Sequence, residues 1–153
     1  MVWSPLVEQI IRFPFDEEAM IQCKGDLETP TSRGGSTPLF FAALNGEEAE
    51  ALSWLLRLGG NVHARNSYGE TPLHWAAQMG HGNVIKLLLS YGADIYQTDG
   101  DGLTALDWSV DQEHTHLYPL LGGQIPNAIH SRLEWITQTM LYPVMRSLRQ
   151  RIS

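Results

Sequence analysis

Cysteine, positive charge and long apolar runs are all scarce in this sequence, and each scarcity removes a class of protein. There is one cysteine in 153 residues, Cys23, so no internal disulfide can form, and a lone thiol suits a reducing compartment. No recognisable base accompanies it, and it reads as a small buried apolar residue rather than a nucleophile. Lys and Arg number 10 against 17 Asp and Glu, a formal net charge of −7, which repels phosphate backbones; nucleic acid is not an expected partner. No apolar stretch reaches the roughly 20 residues that cross a bilayer, so no membrane span is expected. The N-terminus, MVWSPLVEQIIRFPFDEE, lacks the basic start and apolar core of a secretory signal. The cytosol is the expected location, and the nucleus is compatible with the same features. Signature motifs are missing too. There is no Gly-x-Ser-x-Gly and no His-Glu-x-x-His, and the pairs Gly34-Gly35, Gly59-Gly60 and Gly122-Gly123 lack the Lys-Ser/Thr of a phosphate loop.

What remains is an ordinary globular composition, 43% hydrophobic and 18% charged, in a chain long enough for a single domain with a real core. Its charge is unevenly placed. Residues 1–121 hold 16 acids and 6 bases, whereas residues 122–153 hold 1 acid and 4 bases. A basic tail of this size reads as a solvated helix face.

The chain aligns with itself at a spacing of 33–34 residues. Gly35-Ser36-Thr37-Pro38-Leu39-Phe40-Phe41-Ala42-Ala43 matches Gly69-Glu70-Thr71-Pro72-Leu73-His74-Trp75-Ala76-Ala77, and both match Gly102-Leu103-Thr104-Ala105-Leu106-Asp107-Trp108-Ser109-Val110. Such a period means stacked supersecondary units. In the middle unit Gly69 permits a turn, Thr71 can cap a helix, and Pro72 takes the first helical position, where a missing N–H costs nothing. A short helix is predicted over Pro72–Met79, ending at Gly80. A second, from about Asn83 to Ser90, places Val84, Leu87 and Leu88 on one side and stops at Gly92.

With Gly80-His81, Leu87-Leu88-Leu89 and Gly92-Ala93-Asp94 following, residues 66–98 resemble a near-complete ankyrin repeat. Residues 32–65 resemble a second. That unit has Phe40 where the family has histidine, one extra residue between Gly46 and Gly59, and Gly59-Gly60-Asn61-Val62-His63-Ala64 at its exit. Residues 99–121 resemble a degenerate third, in which Glu113 replaces the glycine between the helices and Pro119 falls inside the expected second helix. The resemblance implies an all-α fold, an ankyrin-repeat solenoid of stacked helix-turn-helix units with short turn or hairpin tips.

A solenoid must cover its outermost apolar faces. Residues 1–30 are therefore expected to form an N-terminal helical cap, with helices near 4–12 (Leu6, Val7, Ile10, Ile11) and 16–24 (Ala19, Met20, Cys23) and Asp16 as an N-cap. Residues 122–153 are expected to form a C-terminal cap. There Ile129, Leu133, Ile136, Met140, Val144 and Leu148 share one stripe over 127–149, interrupted at Pro143. The acids Glu47, Glu48 and Glu50 are read as the start of a second helix, favoured by its dipole.

Each residue that hints at chemistry has a structural reading. Phe41, Trp75 and Trp108 share one slot and are expected to fill the space between neighbouring helix pairs. His74, the histidine the family carries after Thr-Pro-Leu, is expected to tie adjacent turns by hydrogen bonds. His114 and His116, with Glu113 or His130, could supply metal ligands, but no second cluster stands at ligand spacing; His114 also falls in the slot of His81. Asp99-Gly100-Asp101-Gly102 fails as a calcium loop, because Gln97 and Trp108 sit where carboxylates are needed, and it reads as a turn. No metal, cofactor or catalytic residue is expected.

By resemblance, the partner-binding positions are the turn tips and the exposed side of the first helices, which together line a concave groove. On the tips they fall at Arg33, Gly34, Ser36, Arg65, Asn66, Ser67, Tyr68, Glu70, Thr98, Gly100, Asp101 and Leu103. On the first helices they fall at Leu44, Asn45, Gln78, Met79, Asp111 and Gln112. Tyr68, Arg65 and Met79 are types enriched at interface centres. The chain is therefore expected to bind another protein, one with a basic surface, and to be monomeric on its own. A stand-alone inhibitor or immunity protein is the sharper form of that reading. The alternatives are an adaptor or chaperone-like subunit of a larger complex and an enzyme with a site near His114 and His116.

Overall fold

The computed structural model describes residues 5–12, 18, 27–30, 34–46 and 49–123. The second front helix over 16–24 with Asp16 and Cys23, the binding candidate Arg33, the acids Glu47 and Glu48, and the segment 127–149 lie outside the described residues. Those described form six α-helices and one 3₁₀ turn, and no strand. The helices are α1 (Pro5–Arg12), α2 (Pro38–Asn45), α3 (Glu50–Arg57), α4 (Pro72–Met79), α5 (Gly82–Ser90) and α6 (Ala105–Asp111), with the 3₁₀ turn at Thr115–Leu117.

α1, α2, α4 and α6 stack in one row, each on the next, while α3 packs on α2, α5 on α4 and the 3₁₀ turn on α6. One apolar cluster runs through the stack, from Leu6, Val7 and Ile10 of α1 through Leu39, Leu55, Leu73, Ile85 and Leu88 to Trp108, Leu117 and Leu121. The aromatic slot packs as expected. Trp75 meets Phe40 and Phe41 of the preceding unit edge-on, with ring centroids 5.4 and 5.7 Å apart, and Trp108 meets His74 edge-on at 5.5 Å. Ile11, expected to share the apolar face of α1, is exposed.

The start of each first helix shows how one slot was refitted. In the middle unit Thr71 and His74 form a capping box. In the third, Thr104 and Asp107 do so, with the Thr104 N–H and hydroxyl both donating to Asp107 Oδ2 at 2.8 Å. In the first, Phe40 offers no acceptor, and the buried Thr37 Oγ1 has no hydrogen-bond partner among the described residues. A buried hydroxyl without a partner costs about 1–3 kcal/mol. Thr37→Val keeps the shape and is expected to raise the unfolding free energy by about 1 kcal/mol, whereas Thr71→Val should lower it. Urea titration of the two variants beside the wild type is the measurement, and a loss at Thr37 equal to that at Thr71 contradicts the assignment.

Two departures from the regular unit carry backbone strain. α3 begins at Glu50, after Ala49 in the left-handed region at φ 57°. Four residues separate α2 from α3 where two separate α4 from α5, so the extra residue of the first unit falls between its two helices. Glu113 stands in the slot of Gly80; both are left-handed, at φ 61° and 79°. Only glycine adopts that conformation without penalty, so Glu113→Gly is expected to stabilise the fold by about 1 kcal/mol, read as a rise in melting temperature. Pro119 has the expected effect, since among the described residues only turns follow Leu117 and no second α-helix forms in the third unit.

Candidate functional site

The tips are built by one side chain per unit. Asn66 Oδ1 accepts from the Tyr68 and Glu70 N–H groups, both at 3.0 Å, and Asp99 Oδ1 accepts from those of Asp101 at 3.0 Å and Leu103 at 2.9 Å. Each turn is closed by a backbone bond from the same residue, Asn66 N–H to the Glu70 carbonyl at 3.1 Å and Asp99 N–H to the Leu103 carbonyl at 2.8 Å. The indoles lock the arrangement from below, Trp75 donating to Glu70 Oε2 and Trp108 to Asp99 Oδ2, each at 2.8 Å. Neighbouring tips are then tied in series, with Ser67 N–H donating to the Gly34 carbonyl at 2.7 Å and Gly100 N–H to that of Tyr68 at 2.8 Å.

This architecture sorts the predicted binding residues. Ser36, Asn66 and Leu103 are buried. Asn66 Nδ2 donates to Ser36 Oγ and to Glu70 Oε2, so these side chains build the tip rather than face a partner. Glu70 is half-buried and held by Trp75 and Asn66. Thr98 is also half-buried, its carbonyl accepting from Arg65 Nη2 at 2.9 Å. The pattern Asn/Asp-x-x-Gly, in Asn66…Gly69 and again in Asp99…Gly102, is the signal that identifies the tip builders.

Exposed along the tips are Arg65, Ser67, Tyr68 and Asp101; exposed at the ends of the first helices are Asn45, Gln78, Met79, Asp111 and Gln112. Asn45 reaches back to the Ile10 carbonyl at 3.4 Å, and Gln112 donates to Asp111 at 3.1 Å. Tyr68 is 67% exposed, against 45% for Met79. Its ring edge passes over Gly34, where an added Cβ would sit 3.2 Å away.

The histidines tie units together, and His114 and His116 also meet edge-on with ring centroids 5.8 Å apart. Thr71 N–H donates to His74 Nδ1 at 3.1 Å, which leaves the proton on Nε2, and Nε2 lies 3.0 Å from the Leu103 carbonyl of the next unit. Burial pushes the His74 pKa below its usual 6.5, partly opposed by that carbonyl and by the nearby Asp99 and Glu70 charges. His81 Nε2 lies 2.9 Å from the Leu44 carbonyl, and His114 Nε2 3.0 Å from that of Gln78, one unit further on. His116 Nε2 lies 3.1 Å from the Gly80 carbonyl. These are orphan carbonyls at the ends of first helices, capped from the following unit. Among the described residues no three His, Cys, Asp or Glu side chains gather as metal ligands, and no helix is long and apolar enough to cross a membrane.

Comparison with known proteins points the same way as the geometry. A family model described as ankyrin repeats (3 copies) matches residues 5–99. Rabankyrin-5 of Homo sapiens is 45% identical over 58 residues, 38% of this chain and 5% of that protein. Ankyrin repeat domain-containing protein 37 of Xenopus tropicalis is 34% identical over 71 residues, 46% of this chain and 43% of that protein. The E3 ubiquitin-protein ligase XBAT33 of Arabidopsis thaliana is 35% identical over 75 residues, 48% of this chain and 14% of that protein. The chain thus spans less than half the length of each of these relatives.

Proposed function

The chain belongs to the ankyrin-repeat family, and from that premise we propose that it grips a partner protein through the row of tips carrying Arg65, Ser67, Tyr68 and Asp101, together with Gln78 and Met79. Ankyrin repeats mediate protein–protein interaction in general and are generally non-catalytic. The observation that carries the proposal is Tyr68, a large aromatic held 67% exposed on a turn whose backbone N–H groups, from Asn66 to Glu70, are all hydrogen-bonded. A rigid exposed tyrosine loses little entropy on binding, which is what an interface anchor requires. The acids outnumber the bases 16 to 6 over residues 1–121, which fits a partner with a basic surface and an association rate that falls as salt rises.

The test is capture of the partner with wild type beside a Tyr68→Ala, Arg65→Ala double variant. Loss of an anchor of this kind weakens binding by about 2–4 kcal/mol. The variant gives up only the exposed Tyr68 ring contact with Gly34 and the exposed Arg65 bond to the Thr98 carbonyl, so its melting temperature should stay within about 4 °C of wild type. Binding that survives the double change removes the tips from consideration. A partner enzyme silenced on binding would make the protein an inhibitor or immunity protein; two partners held at once would make it an adaptor.

A further inference from the structure

The row of first-helix ends reaches one helix further forward than the repeats do. Asn45, the last residue of α2, donates through Nδ2 to the Ile10 and Ile11 carbonyls at 3.4 and 3.5 Å. His81 Nε2 lies 2.9 Å from the Leu44 carbonyl, and His114 Nε2 3.0 Å from that of Gln78. These contacts set the C-terminal ends of α1, α2, α4 and α6 side by side along one edge. α1 therefore belongs to the row. Its Ile11, 39% exposed, continues a floor formed by the half-buried Leu44 and by Met79, 45% exposed. Large apolar side chains left in water along one row are the mark of a contact surface rather than of a core.

The row changes character along its length. At the ends of α1, α2 and α4 the exposed residues are Ile11, Asn45, Gln78 and Met79, and none is charged. In the third unit Asp101, Asp111 and Glu113 are exposed, and residues 99–123 contain no Lys or Arg to neutralise them. No basic residue stands in the last turn of α2, α4 or α6, so the carbonyl ends of three aligned helix dipoles add to the negative potential. Arg65, a cation of the second tip, is turned to the Thr98 carbonyl at 2.9 Å. We infer that the groove includes α1 and receives a linear segment of the partner, apolar where it crosses Ile11 and Met79 and carrying Lys or Arg where it meets Asp101 and Asp111. This rests on the reading that tips and first helices grip a partner protein. It adds Ile11 to the contact set and fixes the direction in which the partner's polarity runs. Axes of packed helices lie about 8–10 Å apart, so the row from α1 to α6 spans about 25–30 Å, the reach of about eight or nine extended residues.

A phage-displayed library of random peptides of about twelve residues covers that span and is the probe, selected on the full chain. Enriched peptides are expected to be apolar over most of their length, with Lys or Arg at one end only. The affinity of the best of them, read by fluorescence anisotropy, should fall about fivefold with Ile11→Ser and about tenfold with Asp101→Asn and Asp111→Asn together. Only the aspartate pair should flatten its dependence on salt. Reversing the charge with Asp101→Lys and Asp111→Lys should turn the selection toward peptides ending in Asp or Glu. All these positions are exposed, and melting temperatures confirm that the variants are folded. The inference is overturned by a library that yields no binder, by binders without a basic end, or by an affinity that Ile11→Ser or the aspartate pair leaves within about twofold. The Tyr68→Ala, Arg65→Ala variant separates the two readings. A peptide that it releases, while the Ile11 and aspartate variants still hold it, keeps the tips as the site and rejects the extension; a peptide held by all of them rejects both.

Discussion

The Gly69→Ala variant is expected to lose about 4 kcal/mol of unfolding free energy, from backbone strain together with a clash that cannot relax. Gly69 has φ 75°, where an L side chain is strained. Its Cβ would also fall 2.9 Å from the Gly100 nitrogen and 3.2 Å from the Asp99 carbonyl carbon. Arg65, 2.9 Å away at Nη2, can swing aside, but the Gly100 backbone cannot without opening its 2.8 Å bond to the Tyr68 carbonyl. Gly92→Ala is the control. Its φ is 89° and nothing lies within 4 Å of the added carbon, so only the conformational part, about 1–2 kcal/mol, should be lost. The difference between the two, measured by urea unfolding, isolates the tightness of tip stacking. Equal losses would mean that adjacent tips are free to separate. Since Tyr68 rides on the same turn, Gly69→Ala should also weaken partner binding at temperatures where the variant is still folded.

The repeat period carried most of the fold. Thr37, Thr71 and Thr104 mark helix starts found one residue later at Pro38, Pro72 and Ala105. The Trp75 and Trp108 slot packs between units as read, and the bridging role of His74 follows the repeat pattern. The site was less legible, for a physical reason. Position on a tip decides which backbone is near a partner, but not which side chain is consumed in building the tip. Asn66 and Ser36 look like surface polar residues in a linear pattern, yet Asn66 is buried because the turn needs a side-chain acceptor for its inner N–H groups, and Ser36 because it accepts from the Asn66 amide. Leu103 is buried because the next step of the chain is a helix start facing the core. Tyr68, by contrast, could be recognised early, since a tyrosine offers nothing to the inside of such a turn. The left-handed Glu113 could have been anticipated from its alignment with Gly80; that slot keeps its backbone shape even when its residue changes.

His74→Phe is expected to lose about 3 kcal/mol at pH 7.5, and the deficit should shrink as the solution is acidified. Phe40 shows that an aromatic of this size fits the slot, fully buried and edge-on to the tryptophan of the next unit. The variant therefore opens little cavity. What it removes is the acceptor for the Thr71 N–H at 3.1 Å, which strands a buried donor, and the inter-unit tie at 3.0 Å to the Leu103 carbonyl, which keeps only the Asp99 N–H at 2.8 Å. The pH dependence has a definite sign. Burial lowers the folded-state pKa of His74 below 6.5, so as pH falls through 6.5 the unfolded chain takes up a proton that the folded chain refuses. Wild-type stability from this group is complete above that value. It then declines by up to about 1.4 kcal/mol per pH unit until the folded-state pKa is reached, where it levels. Below that point the histidine protonates within the fold, Nδ1 no longer accepts from Thr71, and the tie between units is weakened from inside. Phenylalanine cannot titrate, so melting temperatures of the two proteins should converge between pH 7.5 and 5.5, with the carboxylates contributing equally to both. Parallel curves over that range would show that the buried imidazole is not the group linking acid to the loosening of the stack.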